Sequence, residues 1–255
     1  MTDRYAVIGN PIGHSLSPRI HRAFAMATGE DIEYGALWAS VDCFAPAANA
    51  FFETGGAGLN VTVPFKQDAH VWVSERDQLA ERAGAVNTIC VTASGTRGCN
   101  TDGIGLVRDL ERIGWTVTGR RVLIIGAGGA TRGILGPLIE AGAGAIRVAN
   151  RTAARSIALA QSYPEVEGTG LDDVDGKWDI VINATSAGLA GESGIVPESV
   201  VQGVRCYDLL YRIDGQTPFL ASCAGVAEAS ADGLGMLVEQ AAEAFRLWRG
   251  VLPET

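Results

Sequence analysis

The stretch that decides the fold is Val122-Leu123-Ile124-Ile125-Gly126-Ala127-Gly128-Gly129-Ala130, an apolar run that passes directly into a group of glycines. The apolar run predicts a buried strand, and the residues from Ala130 to Glu140 follow as a helix. Glycines at this point let the backbone turn sharply and approach a pyrophosphate, whose charge the helix N-terminus stabilises. The pattern G-x-G-x-x-G/A fails at its sixth position, Thr131, so a tight structural turn is the alternative interpretation.

The residues after the next predicted strand, Ala145 to Ala149, indicate which dinucleotide these glycines would bind. An Asp or Glu here would bond the ribose hydroxyls of NAD, but the chain has Asn150, Arg151, Thr152 and Arg155. Arginine gives charge-assisted, often bidentate hydrogen bonds to phosphate, which suits the 2′-phosphate of NADP(H). A solvated basic helix start is the alternative. We predict NADP(H) as the cofactor.

Short apolar runs alternate with helical patterns along the whole chain, which is typical of an α/β protein with mostly parallel sheets. In the N-terminal part, Ser17 is expected to cap a first helix with Pro18 at its first position. A further helix is predicted from Arg76 to Arg82. The last helix, Leu234 to Trp248, has one apolar face and must pack on something.

Composition excludes several classes of protein. The 255 residues include 33 glycines and 47% hydrophobic residues, enough apolar surface for a globular core. A net charge of −9 argues against a bulk electrostatic grip on nucleic acid or an anionic membrane. The five cysteines are scattered and include no Cys-x-x-Cys pair, which predicts reduced thiols. No apolar run reaches membrane-spanning length, and together these two features predict a cytoplasmic protein. The three histidines lack metal-ligand spacing, so we expect no metal site.

Four segments before residue 103 carry many polar residues in otherwise apolar surroundings. They are Gly9-Asn10-Pro11-Ile12-Gly13-His14-Ser15-Leu16-Ser17-Pro18, Leu59-Asn60-Val61-Thr62-Val63-Pro64-Phe65-Lys66, Gly84-Ala85-Val86-Asn87-Thr88 and Asn100-Thr101-Asp102-Gly103. Lys66 follows a strand, and ligands of open α/β sheets bind in the loops at strand ends. For any one segment alone, turn chemistry on a surface loop is the simpler interpretation.

Taken together with the glycine loop, these segments resemble the shikimate dehydrogenase family of NADPH-dependent reductases. The resemblance extends to Asn183-Ala184-Thr185-Ser186-Ala187-Gly188, to Tyr207-Asp208-Leu209-Leu210-Tyr211 and to Asp232 through Ala242, in order along nearly the whole chain. It implies two α/β domains facing each other across a cleft. Residues 1–102 with 234–255 would bind substrate and carry the catalytic residues, and residues 103–233 would form a Rossmann-like NADP-binding domain.

The resemblance also implies roles for individual residues. Those that match the family's substrate residues are Ser15 and Ser17 for the carboxylate, Asn60, Thr62, Asn87 and Gln240 for the ring hydroxyls, and Tyr211 beside the carboxylate. Lys66 and Asp102 match its catalytic pair and also contact substrate. The expected cofactor contacts are Gly126, Ala127, Gly128, Gly129, Ala130, Asn150, Arg151, Thr152, Arg155, Thr185, Leu209 and Gly233.

Ketone reduction by hydride needs a proton donor close to the oxygen, and a lysine ammonium is a ready donor but a poor base at neutral pH. Lys66 and Asp102 are therefore assigned as a coupled pair, without deciding which of them carries the transferred proton.

The segment from Tyr211 to Thr217 is one residue longer than is common in the family. Two alternatives stand beside an NADP-dependent shikimate dehydrogenase: a quinate or dual quinate/shikimate dehydrogenase, and a non-catalytic dinucleotide sensor. A monomer and a homodimer are both compatible with the sequence.

Overall fold

The computed structural model describes residues 2–185 and 196–255, so Ser186, Ala187 and Gly188 of the predicted Asn183 to Gly188 motif lie outside the described residues. The chain divides into two compact units, Met1–Gly105 with Leu237–Thr255, and Leu106–Met236. Each unit contains a six-stranded sheet within the described residues, with helices between the strands. The predicted two-domain α/β fold is confirmed.

The N-terminal unit is built around a mixed sheet. Its elements are β1 Asp3–Gly9, α1 Ser17–Thr28, β2 Ile32–Trp38, α2 Phe44–Glu53, β3 Gly56–Val61, α3 Lys66–Trp72, β4 Glu75–Arg76, α4 Gln78–Ala83, β5 Thr88–Thr92 and β6 Gly95–Cys99. The strand order is β2-β1-β3-β5-β6-β4, in which β2, β1 and β3 are parallel and β5 is antiparallel to both β3 and β6. The hairpin between β5 and β6 brings Asn87 and the residues after Cys99 to the end of β3.

The last helix, α10 (Leu234–Arg249), packs its apolar face on the N-terminal unit. Ala241, Ala242 and Phe245 form a buried cluster with Phe24 of α1. The indole of Trp248 stacks on Tyr5 of β1, with ring centroids 4.6 Å apart. The predicted apolar face therefore has its partner, and the packing holds Gln240 beside the ends of the central strands.

Two predicted details of the N-terminal unit are wrong. Ser17 does not cap α1, because the helix already includes Ser17 and the preceding residue is Leu16. The hydroxyl of Ser15 instead accepts a hydrogen bond from the Ser17 amide at 3.3 Å. The predicted helix from Arg76 to Arg82 begins two residues late, because Arg76 extends the sheet beside β6 and Asp77 caps α4.

The second unit has an all-parallel sheet. Its elements are α5 Asp102–Arg112, which begins in the first unit, then β7 Arg121–Ile125, α6 Gly129–Glu140, β8 Ala145–Asn150, α7 Ala153–Ala160, β9 Val166–Gly170, β10 Ile180–Asn183, α8 Glu198–Val201, β11 Arg205–Asp208, α9 Pro218–Cys223 and β12 Ala229–Ala231. The strand order is β12-β11-β10-β7-β8-β9. The central strands β7 and β10 are buried on both faces, which explains their uninterrupted apolar sequences.

The strand order reverses at β7, which has β8 on one side and β10 on the other. In open parallel sheets, ligands bind at the carboxyl ends of the strands at this kind of switch point. The loop that leaves β7 begins with Gly126, so the glycine group lies where the topology predicts a ligand. Among the described residues, no helix is both long and apolar enough to cross a membrane.

Candidate active site

Lys66 and Asp102 form an ion pair in the N-terminal unit. The Nζ atom of Lys66 lies 2.6 Å from Oδ2 of Asp102, and the two side chains retain 25% and 10% of their accessible surface. Both are the first residues of helices, α3 and α5, that begin where strands of the sheet end. A charged donor and a carboxylate are thus held together in a partly open position, which is the arrangement that proton transfer to a bound ligand requires.

The other oxygen of Asp102 is held by an amide network. Asn87 donates from Nδ2 to Asp102 Oδ1 at 2.8 Å and to the hydroxyl of Thr101 at 2.9 Å. The side-chain oxygen Oδ1 of Asn87 accepts a hydrogen bond from the backbone amide of Thr101 at 2.9 Å, which fixes the orientation of the side-chain amide. Gln240 of α10 joins the network through its Oε1, 3.3 Å from Asn87 Nδ2. Four of the predicted residues, Lys66, Asn87, Asp102 and Gln240, are therefore brought into one cluster.

Asn60, one residue before the end of β3, makes a second group of polar contacts. Its Nδ2 donates to the carbonyl oxygen of Asn87 at 3.3 Å and to the hydroxyl of Thr88 at 3.0 Å. Its Oδ1 accepts from the hydroxyl of Tyr34 at 2.6 Å. Thr62 lies two residues after Asn60. Its side chain packs so close to Gly9 that a Cβ added at Gly9 would lie only 2.5 Å from Cγ2 of Thr62.

Three residues of these networks were not among the predicted site residues: Tyr34, Thr88 and Thr101. Thr88 and Thr101 are next to Asn87 and Asp102 in the polar segments of the sequence. Their place in those segments could have identified them as site residues. Tyr34 has no such signal, because an aromatic residue inside a strand is typical of a core. Its contact with Asn60 depends on β2 lying next to β1, which in turn pairs with β3.

The glycine loop in the second unit has the backbone geometry that the sequence predicts. Gly126 has a φ of +106°, and an added Cβ would lie 3.0 Å from Thr185 and 3.2 Å from the backbone of Ala184. Gly128 and Gly129 have nothing within 4 Å of an added Cβ, and both are exposed at the start of α6. Open space before the free amides of a helix N-terminus fits a pyrophosphate.

Thr131, the residue that breaks the glycine pattern, has a structural role in this loop. Its side chain is buried and donates a hydrogen bond to the carbonyl oxygen of Gly126 at 2.7 Å. The hydroxyl therefore closes the turn between β7 and α6. Ala127 and Ala130 complete the loop beside it, Ala127 half-buried and Ala130 exposed.

The predicted 2′-phosphate site lies at the end of the neighbouring strand. Asn150 ends β8, and its side chain donates to the carbonyl oxygen of Thr152 at 2.9 Å, which orders the turn into α7. Arg151 and Arg155 are exposed. The backbone amide of Gly126 donates to the carbonyl oxygen of Ala149 at 2.7 Å, so this turn begins next to the glycine loop.

The remaining predicted cofactor residues lie at the ends of the next strands. Gly233 passes so close to the backbone of Leu209 that an added Cβ would lie 2.2 Å from the Leu209 carbonyl oxygen. The hydroxyl of Thr185 donates to Oδ1 of Asn183 at 2.8 Å. Tyr211 belongs to this unit and not to the unit that contains the other predicted substrate residues. Burial raises the pKa of Tyr211.

A buried carboxylate supports these loops. Asp208 accepts hydrogen bonds from the Nδ2 of Asn183 at 2.9 Å, from the hydroxyl of Thr217 at 2.5 Å and from the backbone amide of Leu210 at 3.1 Å. It thereby links the end of β10, the end of β11 and the start of α9. Burial raises the pKa of Asp208, although the three hydrogen bonds act in the opposite direction.

The fold and these residues define a class of α/β protein that has a dinucleotide-type glycine loop in one unit and a lysine–carboxylate pair in the other. Models of three protein domains match the chain: the shikimate dehydrogenase substrate binding domain at residues 7–89, shikimate / quinate 5-dehydrogenase at residues 109–204, and the shikimate 5′-dehydrogenase C-terminal domain at residues 233–255. The chain belongs to the shikimate dehydrogenase family.

Individual relatives are similar over the full length. The shikimate dehydrogenase (NADP(+)) of Alkalilimnicola ehrlichii is 53% identical, with 100% of this chain and 96% of the relative covered. The crystal structure of an Ael1 enzyme from Pseudomonas putida has a TM-score of 0.94 at 42% identity, covering 100% of this chain and 96% of the other. That of shikimate 5-dehydrogenase from Thermus thermophilus, in complex with NADP(H) and shikimate, has a TM-score of 0.87 at 32% identity, covering 99% and 95%.

Proposed function

We propose that this chain catalyses the reversible reduction of 3-dehydroshikimate to shikimate with NADPH, a step in the biosynthesis of chorismate and the aromatic amino acids. The observation that carries the proposal is the Lys66–Asp102 pair, held at 2.6 Å and partly open to solvent. Curated relatives at about half identity carry the name shikimate dehydrogenase (NADP(+)). The enzyme is an oxidoreductase that acts on a CH–OH group.

The proton step belongs to the Lys66–Asp102 pair. When the carbonyl carbon accepts a hydride, both bonding electrons arrive with it, and the carbonyl oxygen needs one proton to become a hydroxyl. The Lys66–Asp102 pair supplies that proton: the Lys66 ammonium is a ready donor, and Asp102 stabilises and orients the ammonium. In the oxidative direction the pair takes the proton back. Asn87 keeps the second oxygen of Asp102 occupied, so the carboxylate has one preferred orientation.

The substrate would be held by neutral polar groups. Ser15 and Ser17 lie at the start of α1 and suit a carboxylate, which accepts hydrogen bonds from hydroxyls and free backbone amides. The ring hydroxyls would be bound by Asn60, Asn87 and Gln240, which already form one network in the structure, and by Thr62, which follows β3. Tyr211 would contribute a further hydroxyl to the carboxylate.

The cofactor would bind at the carboxyl edge of the second sheet. The open space before Gly128 and Gly129 fits the pyrophosphate, and the exposed Arg151 and Arg155 fit the 2′-phosphate. Thr185, Leu209 and Gly233 would line the loops nearby, and Asn150 and Thr152 would shape the turn below the phosphate. NADPH supplies the hydride when bound. This assignment makes residues 103–233 the cofactor domain and residues 1–102 with 234–255 the substrate domain.

The proposal extends to the partners of the chain. Shikimate and 3-dehydroshikimate are its small-molecule ligands, and the acidic net charge of −9 disfavours nucleic acid. We propose that it acts in the cytoplasm as a monomer or homodimer. All five cysteines are free thiols, which agrees with a reducing compartment.

The test is product identification. The purified chain is mixed with NADP and shikimate, cofactor reduction is followed by absorbance, and the organic product is separated by chromatography against authentic 3-dehydroshikimate. We expect equal amounts of NADPH and 3-dehydroshikimate. Binding of shikimate and NADP without turnover would contradict the proposal and favour a sensor on the same fold.

A further inference from the structure

We infer that Tyr34 is a positioning residue of the substrate site: its hydroxyl orients the side chain of Asn60, and its ring packs on His21 of α1, the helix that begins with Ser17. This inference rests on the proposed function, because it assumes that Ser17 and Asn60 contact shikimate. Tyr34 itself lies on β2 and is buried. It would act through Ser17 and Asn60 and not on the reacting atoms.

The position of Tyr34 follows from the sheet register. Tyr34 of β2 is paired with Tyr5 of β1, and β1 pairs on its other side with β3, where Asn60 stands opposite Val7. Tyr34 and Asn60 are therefore two strands apart, roughly 10 Å at the usual strand spacing. The long phenol side chain spans β1, and its hydroxyl reaches Asn60 Oδ1 at 2.6 Å.

The direction of this hydrogen bond can be assigned from the other contacts of Asn60. The carbonyl oxygen of Asn87 only accepts, so the Asn60 atom 3.3 Å from it must be the amide nitrogen. Oδ1 therefore faces Tyr34, and the phenol must donate. Both amide hydrogens of Asn60 are used by Asn87 and Thr88. What Asn60 can offer a ligand is one remaining lone pair on Oδ1, so it is set to accept from a ligand hydroxyl.

The Ser17 hydroxyl acts on the same phenol from the carboxylate side of the site, because it lowers the pKa of Tyr34 against the larger, opposite effect of burial. Burial raises the pKa of Tyr34 well above 10.0, so the phenol keeps its proton and remains a donor to Asn60 across the working pH range. Tyr34 is thus bonded to β3 through Asn60 and contacts α1 through its ring.

His21 holds the ring of Tyr34 in place. It lies one turn after Ser17 on α1, and its imidazole stacks on the phenol with centroids 4.1 Å apart and planes 5° apart. Burial lowers the pKa of His21 to about 3, against a smaller, opposite effect of the Asn60 side chain, so the ring is neutral. Neither ring nitrogen lies within hydrogen-bonding geometry of a partner among the described residues. A neutral stacked ring can orient the phenol without competing for its hydroxyl.

The experiment compares Tyr34→Phe with wild type in the shikimate-dependent reduction of NADP. The variant keeps the ring stacked on His21 and removes only the hydroxyl. We expect the KM for shikimate to rise about 5- to 20-fold, the range expected for losing one buried hydrogen bond, with kcat within about threefold and the KM for NADP unchanged. In an Asn60→Ala background the same substitution should change the KM for shikimate by less than about twofold, because the partner is already absent.

Tyr5→Phe is the matched control, since Tyr5 is a buried tyrosine of the adjacent strand, paired in register with Tyr34 and stacked on Trp248. It should leave both KM values unchanged. A fall in kcat at unchanged KM for shikimate, or additive effects of Tyr34→Phe and Asn60→Ala, would overturn the inference while wild-type turnover still supports the proposed function. An inactive wild type would contradict the proposed function itself, and the inference with it.

If Tyr34→Phe fails to fold, 3-fluorotyrosine at position 34 replaces it, because it keeps the shape and makes the hydroxyl a stronger donor. A change of at least about twofold in the KM for shikimate at unchanged Tm would support the inference. An unchanged KM would overturn it.

Discussion

Each unit of the molecule places an asparagine and an aspartate together at the ends of its strands, and the two pairs differ in what surrounds them. In the N-terminal unit, Asn87 donates to Asp102, whose other oxygen faces the ammonium of Lys66. In the second unit, Asn183 donates to Asp208, whose other contacts are a hydroxyl and a backbone amide. Asp102 keeps some access to solvent, whereas Asp208 is fully buried.

The comparison shows that residue type and local geometry do not by themselves make a carboxylate reactive. A buried aspartate that accepts three neutral hydrogen bonds orders the loops it connects. An aspartate that shares a partly open position with a lysine can take part in proton transfer. Asp102 therefore differs from Asp208 by its lysine partner and by its access to solvent. The role of each carboxylate can be tested by its own substitution.

The largest expected effect is that of Lys66→Ala. It removes the ammonium of the proposed proton-transferring pair, and general acid catalysis contributes on the order of 10² or more to rate, so kcat should fall by about that factor with a smaller change in KM. Steady-state kinetics with shikimate and NADP measure it. Lys177→Ala is the control, because Lys177 is the other lysine of the chain and is exposed in the second unit. A kcat close to wild type in Lys66→Ala would remove the distinction between the two carboxylates.

A smaller effect is expected in the second unit, where the cofactor would be held by backbone amides and exposed cations. Arg151→Ala removes one charge-assisted contact to the 2′-phosphate, so the preference for NADP over NAD should fall about tenfold. The measurement is kcat/KM for both cofactors at saturating shikimate. Arg22→Ala, an exposed arginine in the other unit, should leave the preference unchanged. Equal preference in wild type and Arg151→Ala would assign the 2′-phosphate to other residues.

The smallest effect on activity is expected for Asp208→Asn, which should act mainly on stability. Replacing one oxygen by an amide that faces donors should lower the free energy of unfolding by about 1–3 kcal/mol. Because burial raises the pKa of Asp208, the folded chain binds this proton more tightly than the unfolded chain does. Its contribution to stability is therefore largest at acid pH and is lost as pH rises through the folded-state pKa.

Thermal unfolding between pH 4 and 7 should then show the Tm difference between wild type and Asp208→Asn increasing as pH falls. Asp214→Asn, an exposed carboxyl in the following loop, is the control for loss of one charge. A Tm difference that does not vary with pH would mean that Asp208 has the same pKa in the folded and the unfolded chain, which would contradict the prediction. A loss of kcat as large as that of Lys66→Ala would show that the two carboxylates are not distinct in function.

The sequence was most informative where structure depends on neighbours along the chain. The strand, glycine loop and helix from Arg121 to Glu140 follow from local hydropathy and backbone freedom, and the predicted fold is confirmed. The role of Thr131 could not be predicted, because its hydrogen bond to Gly126 closes a turn whose geometry is seen only in three dimensions.

The candidate site was less predictable from its residues alone. Lys66 and Asp102 are 36 positions apart, and only the resemblance to a family paired them before the structure did. Tyr34 and His21 gave no signal, because aromatic residues at strand and helix spacing are typical of a core. The contact of Tyr34 with Asn60 arises from strand order, which no local pattern encodes.

The most direct test of the account measures kcat/KM of the purified chain for shikimate and for quinate, each with NADP and with NAD. Ser17 at the second hydroxyl position at the start of α1, together with the exposed Arg151 and Arg155, predicts that shikimate with NADP exceeds each other combination by about tenfold or more. A chain that is fastest with quinate and NAD would contradict both the substrate and the cofactor assignment.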